Sequence, residues 1–176
     1  ENTPHAKSFQ IYVRGDDDWI RDLVQRAVKA QYASVTLTVD SAFYGNRERL
    51  NPAQLALRRV PAREWQKKIT WETVKLIKDV LGNTPLILKG IMTAEDAALA
   101  VEHGVEGIYI SNHGGRQLDH VLGNIQMLPE VVSAVDGKAE VFIDGGFTRG
   151  TDIVKALILG AKAVGIGRLQ AYALGA

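Results

Sequence analysis

Residues 139–168 read "AEVFIDGGFTRGTDIVKALILGAKAVGIGR", and three segments within this stretch decide the fold. "AEVFIDGG" is a β-rich run that stops at two glycines. "RGTDIVKALILGA" carries its apolar residues at helical spacing. "AVGIG" is a second short apolar run of strand character. A strand, a helix and a strand joined by links this short form one unit of a parallel sheet covered by helices.

The same rhythm extends upstream. "FQIYV" from Phe9, "SVTLTVD" from Ser34, "PLILKG" from Pro85 and "GIYISN" from Gly107 read as four further strands. Between them, "DDDWIRDLVQRAVKAQ" opens on Asp caps, and "TWETVKLIKDVLG" is a capped helix ended by Gly82. "TAEDAALAVEHG" has Thr93 as N-cap and Gly104 just past its end. "NIQMLPEVVSAVDG" is helical, and Pro129 predicts that its regular part begins there, because proline suits a first helical turn. "RLQAYALGA" opens one more helix. Only residues 41–68 break the pattern. A loop this long in a compact domain is usually functional or mobile; a helix is expected between Pro52 and Pro61, and docking on a partner is the other reading.

Two closures compete for such a sheet, the doubly wound open sheet and the (β/α)8 TIM barrel. Gln10, Tyr12, Asp40, Lys89, His113, Asp144 and Arg168 all fall at or just beyond the C-terminal ends of the expected strands. A barrel gathers those ends around one mouth, where its active sites lie, whereas an open sheet spreads them along an edge. The pattern therefore predicts a barrel. Only six strands are found, against the eight of a full barrel of ~250 residues. The expectation is a single domain over residues 1–176, an incomplete barrel holding about strands three to eight, that is part of a longer chain or assembles with another.

Composition narrows the function. Lys and Arg number 21 against 20 Asp and Glu, a net charge of +1 that demands neither nucleic acid nor an anionic membrane. The chain has no Cys, so thiol nucleophiles, disulfides and thiolate metal sites are excluded. No apolar run approaches the ~18 residues of a membrane span, and "ENTPHAKSFQ" lacks the apolar core of a secretory signal. A cytoplasmic location is expected. Lys89 ends a strand otherwise suited to burial, so it needs an anionic partner or must snorkel to the rim. The loops "DGGFTRG" and "GIGR" have the glycines that let backbone N–H groups approach a phosphate, next to a helix N-terminus and Arg168.

"SNHGGRQLD", residues 111–119, resembles the signature of the FMN-dependent α-hydroxy-acid oxidising enzymes: glycolate oxidases, lactate oxidases and dehydrogenases, and mandelate dehydrogenases. "FQIYV", "LTVD", "ILKG", "IDGGFTRGTD" and "GIGR" follow the family's order at similar spacing, so the resemblance runs from Phe9 onward. It implies a TIM barrel, bound FMN, and oxidation of an L-2-hydroxy acid to the 2-oxo acid. His113 would be the base, a role that imidazole suits near neutral pH. Asp40 would orient it, Tyr12 would meet the substrate hydroxyl or carboxylate, and Arg116 would clamp the carboxylate in a bidentate fork. Arg47 matches a second substrate-binding arginine, although Asn46 and Leu50 depart from the family pattern around it.

Lys89 would face the flavin edge on which negative charge accumulates. Gln10, Thr38 and Ser111 would bond its polar edge, and Asp144 the ribityl hydroxyls. Gly145, Gly146, Thr148, Arg149, Gly167 and Arg168 would hold the phosphate. Thr148 stands where the family often has an arginine. The bland alternatives are a backbone-capping His113, a surface ion pair at Arg116, a helix-capping Asp40 and a core-packed Tyr12. His5, His103 and His120 are assigned no function, and no metal is expected. Oxygen, a quinone or a cytochrome are the candidate electron acceptors, with a homo-oligomer the expected assembly. Two other readings compete: a different phosphate-binding barrel enzyme, since "DGG…GIG" is widespread, and a non-enzymatic fragment of the oxidase.

Overall fold

The computed structural model describes residues 5–43, 63–118 and 120–176. Six strands lie side by side in chain order: β1 (Ser8–Ile11), β2 (Ser34–Thr38), β3 (Leu86–Ile91), β4 (Gly107–Ile110), β5 (Glu140–Ile143) and β6 (Ala163–Val164). Every pairing is parallel. A strictly sequential order belongs to a barrel; a doubly wound sheet reverses its order at a switch point. The described helices are α1 (Asp17–Lys29), α2 (Arg63–Gln66), α3 (Trp71–Leu81), α4 (Ala94–Glu102), α5 (Asn124–Val135), α6 (Gly150–Ile158) and α7 (Arg168–Leu174). Six strands with their helices make an incomplete TIM barrel.

The two faces of the sheet differ. Ile11, Val35, Leu37, Leu86, Leu88, Ile108, Ile110 and Ile143 are buried, in one cluster with Val24, Ile77, Ala97 and Leu128 of the helices. Burying such side chains is worth about 1.5–3 kcal/mol each, and it seats the helix layer on that face. The alternate residues face the other way. Across the ladders Gln10 pairs with Thr36, Thr38 with Lys89, Lys89 with Tyr109, and Tyr109 with Phe142. This inner face is polar for most of its width and carries the site.

The expected elements recur with shifted ends. Asp16 caps α1 by accepting from the Trp19 N–H at 3.0 Å, and Thr93 caps α4 through the Asp96 N–H at 3.2 Å. The strand expected from Phe9 begins at Ser8, and "AVGIG" contributes only Ala163 and Val164 to the ladder. Among the described strands β6 pairs only with β5, so little backbone there is held in a ladder. The expectation for Pro129 is corrected: α5 begins at Asn124 and runs through the proline. The Gln126 side chain accepts from the Gly123 N–H at 2.9 Å, and Asn124, Met127 and Leu128 are buried. Capping and burial of that first turn outweigh the single hydrogen bond that proline removes. The helix expected between Pro52 and Pro61 lies outside the described residues, as does Arg47.

Strand β3 contains one irregularity. Lys89 pairs with Tyr109, but the next pair is Ile91 with Ile110, so Gly90 is an extra residue, a bulge.

Candidate active site

The turn after β4 presents the histidine. His113 has φ of 55°, followed by Gly114 at 67° and Gly115 at 71°. Three successive left-handed residues are tolerated because two of them lack a Cβ, and the third, histidine, is among the residue types enriched there. The Gly115 N–H returns to the Asn112 carbonyl at 3.1 Å and to the Asn112 side chain at 2.9 Å, which closes the turn. His113 is thereby turned back over the ends of β1 and β2.

There it meets two partners. Its Nδ1 lies 2.6 Å from Asp40 Oδ2 and its Nε2 lies 3.1 Å from the Tyr12 hydroxyl. A carboxylate only accepts, so Nδ1 carries the proton and Nε2 presents its lone pair. The tautomer follows from this network: Asp40 fixes which nitrogen is basic, and the Tyr12 hydroxyl donates to it. Asp40, His113 and Tyr12 come from three different strand ends, as the sequence reading expected.

Lys89 is 8% exposed. Its Nζ donates to Ser111 Oγ at 2.6 Å and pairs with Asp144 Oδ2 at 3.2 Å, with the Tyr109 ring centroid 5.1 Å away. A buried ammonium needs such partners, since an unpaired one would be costly. Asp144 therefore serves the lysine here, and its backbone carbonyl is held by Asn124 Nδ2 at 2.7 Å. On the neighbouring strands Gln10 Nε2 donates to Thr38 Oγ1 at 2.8 Å and to the Tyr12 hydroxyl at 3.2 Å. Tyr109, between Lys89 and Phe142, has its phenol pushed up to about 12, chiefly by burial and secondarily by the negative charge of Asp144. It stays protonated throughout the neutral range.

A cleft of about 460 Å3 opens beside this group, bordered by His113, Arg116, Gly146, Thr148, Gly167 and Arg168. Gly146 and Gly167 face open space with no side chain of their own, so their backbone is accessible from the cleft. Arg116 is exposed beside His113, and Arg168 donates from Nη2 to the Gly114 carbonyl at 3.2 Å. The Thr148 hydroxyl, its N–H and the Arg149 N–H all converge on Asp152 Oδ2, at 3.4, 3.2 and 3.0 Å. These backbone donors hold the Asp152 carboxyl below the usual carboxylate range. Three of the donors expected for phosphate are thus engaged by the chain itself, and Arg149 does not border the cleft.

The donor set fits FMN. A buried cation lies beside a polar strand surface made by Gln10, Thr38 and Ser111, and a glycine-lined cleft with Arg168 extends from it. A flat heterocycle with polar edges and an anionic tail has complementary chemistry. Among the described residues no cluster of His, Asp and Glu could hold a metal ion.

Sequence reasoning missed several residues that build this site. Tyr109 reads as an ordinary strand aromatic, Asn124 as a helix-opening polar residue, and Gly90 as the end of a strand. Gln117 is also buried, and with its amide oriented to satisfy its neighbours it accepts from Ser41 Oγ at 3.2 Å and donates to the carbonyls of Phe43 and Arg116 at 3.1 and 3.2 Å. It ties the loop after β2 to the loop carrying His113. Local spacing could have flagged only Gln117, through its place within "SNHGGRQLD".

Known proteins resemble this chain in sequence and fold. L-lactate oxidase of Nostoc sp. is 42% identical over 94% of this chain and 52% of its own length. 2-Hydroxyacid oxidase 2 of Rattus norvegicus is 41% identical over 91% of this chain and 50% of its own. The crystal structure of mandelate oxidase with (S)-2-phenylpropionate superposes with a TM-score of 0.83 at 39% identity, covering 97% of this chain and 52% of that one. The chain thus spans about half the length of the curated relatives it matches. This likeness leaves the reading of an unrelated phosphate-binding barrel without support. The profile of the FMN-dependent dehydrogenases matches residues 1–65 and 51–176, and the chain belongs to that family.

Proposed function

We propose that the complete protein oxidises an L-2-hydroxy acid to the 2-oxo acid with FMN as the electron acceptor. The observation that carries this reading is the imidazole of His113, held between Asp40 at 2.6 Å and Tyr12 at 3.1 Å at the mouth of the barrel. Oxidising an α-hydroxy acid to the 2-oxo acid removes two protons and two electrons: a base takes one proton, and the second passes with the electron pair to the acceptor. His113 Nε2 takes the first proton, and the Asp40 carboxylate stabilises the imidazolium that results. The Tyr12 hydroxyl is released from Nε2 to bond the substrate, and the Arg116 guanidinium pairs with its carboxylate. FMN, when bound, supplies a two-electron acceptor. Gln10, Thr38 and Ser111 offer polar contacts to it, Lys89 holds positive charge beside it, and Arg168 with Gly146 and Gly167 receives its phosphate.

The named relatives are oxidases of lactate, 2-hydroxy acids and mandelate, which supports a small 2-hydroxy acid as substrate and molecular oxygen, ahead of a quinone or cytochrome, as final acceptor. Association of copies is part of the same proposal. The test is anaerobic mixing of the complete protein with a panel of 2-hydroxy acids. Extraction should yield FMN and not FAD. His113→Gln should keep its FMN while losing about 10²–10⁴ in the rate of flavin reduction. Reduction of the His113→Gln flavin at the parental rate overturns the proposal.

A further inference from the structure

We propose that Gly90 is a positioning residue for the base, because the absence of a side chain there is what lets Asp40 reach His113. The inference rests on the function proposed above and goes one residue deeper. Three independent observations converge on this glycine.

First, it is the bulged residue of β3, the extra residue between the pair Lys89 with Tyr109 and the pair Ile91 with Ile110. A bulge next to a site re-aims a side chain. Here Lys89 stays on the polar inner face, while Ile91, which strict alternation would also send inward, joins the helix-facing core at 5% exposure. Second, its φ of 114° is a conformation that residues with a Cβ rarely adopt. Third, a Cβ at position 90 would stand 2.7 Å from Asp40 Cβ, 2.8 Å from its Cγ and 2.9 Å from its backbone nitrogen. Because one of these contacts is to backbone, a change of Asp40 rotamer cannot relieve the overlap. The segment bearing Asp40 has to move away from β3.

Asp40 has little room to move while keeping its bond. Its side chain is 9% exposed and reaches Nδ1 of His113 over 2.6 Å. Relieving the 2.7 Å approach to ordinary contact at 3.4 Å takes a shift of about 0.7 Å, which along the bond would carry its 2.6 Å well past the ~2.7–2.9 Å of a charge-assisted hydrogen bond. Gly90 has no side chain to offer the imidazole or a reacting atom, and the atoms a Cβ there would meet are those of Asp40.

The experiment uses the complete, FMN-loaded protein and the variants Gly90→Ala, Asp40→Asn and their combination. The low-field proton resonance of the His113 Nδ1–H reports the bond to Asp40 without turnover. It is identified by its absence in His113→Gln. In Gly90→Ala it should shift upfield or vanish, and flavin reduction should slow by about tenfold or more with substrate affinity changed less than about threefold. In the Asp40→Asn background the same alanine should cost no more than about twofold, since residues acting through one contact are not additive. An unshifted resonance in Gly90→Ala overturns the inference, as does an equal loss of rate in both backgrounds. If Gly90→Ala does not accumulate as folded protein, Asp40→Gly combined with Gly90→Ala should recover part of the folded yield, because two of the three crowding atoms are gone while the backbone contact stays; no recovery also overturns it. The resonance decides the matter even for a protein that oxidises no 2-hydroxy acid.

Discussion

Replacing Asp40 with Asn keeps the shape of the side chain and removes its charge, which isolates what the carboxylate does. In the resting site Oδ2 accepts the Nδ1 proton at 2.6 Å. A hydrogen bond to a charged group is worth about 1.5–3 kcal/mol net. Once His113 has taken a proton the pair becomes an ion pair, and two unit charges ~4 Å apart attract by about 4 kcal/mol at the effective dielectric of a partly exposed site. The side chains are 22% and 9% exposed, so water screens part of this attraction. About 3–4 kcal/mol of stabilisation should therefore be missing from the transition state, which corresponds to about 10²–10³ in rate. The Asn amide can also turn its NH2 toward Nδ1 and favour the tautomer whose proton sits on Nε2, where no base is left. The assay is stopped-flow bleaching of the flavin under nitrogen at saturating 2-hydroxy acid, with affinity taken from the concentration dependence. Affinity should change little, because Asp40 faces the imidazole and not the substrate. A limiting rate within about threefold of the parent would refute the reasoning, since it would leave the carboxylate no part in stabilising the imidazolium.

Lys89→Met should weaken FMN binding and lower its reduction potential, because the positive charge beside the cofactor is lost; equilibrium dialysis and a dye-coupled redox titration measure the two, and unchanged values would remove Lys89 from its role. Tyr109 supplies a pH test. Its phenol is raised from 10.0 to about 12, so the folded state holds that proton more tightly than the unfolded state does. This contribution to stability is fully present below about pH 10 and is lost as pH rises towards 12. Ultraviolet titration should show one late-ionising tyrosine that is missing in Tyr109→Phe, and the urea midpoints of the two proteins should converge over the same interval. A late tyrosine that persists in Tyr109→Phe would contradict the assignment.

The architecture was legible because it depends on local signals. Alternating strands and helices, short links and polar residues at strand ends are all visible in sequence, and they place Tyr12, Asp40, Lys89 and His113 around one mouth. The supporting contacts were not legible, because they join residues far apart in the chain. Asn124 holds the carbonyl of Asp144, Gln117 holds the segment around Ser41 and Phe43, and Gly90 makes room for Asp40; no spacing rule encodes such a meeting. Pro129 shows the converse case. A local signal of real strength was overruled by the burial of Leu128 and Met127 on the turn before and beside it. Thr148 shows a third: its side chain type suggested an anion contact, yet a carboxylate four residues on, Asp152, occupies its donors.

The two-sided sheet has a consequence for how such a protein can change. Along β3, Leu88 faces the helices and Lys89 faces the mouth, one residue apart. Each strand thus behaves as a reading frame of two letters, one for packing and one for chemistry. Substitutions within a letter can accumulate separately: the helix-facing positions can exchange aliphatic residues while the mouth keeps its cation and its polar row. A one-residue insertion or deletion upstream in the strand does something different, since it exchanges the letters and puts an ammonium into the apolar layer and a leucine beside the carboxylate of Asp144. The bulge at Gly90 is a built-in shift of this frame, placed immediately after the last residue whose inward direction matters.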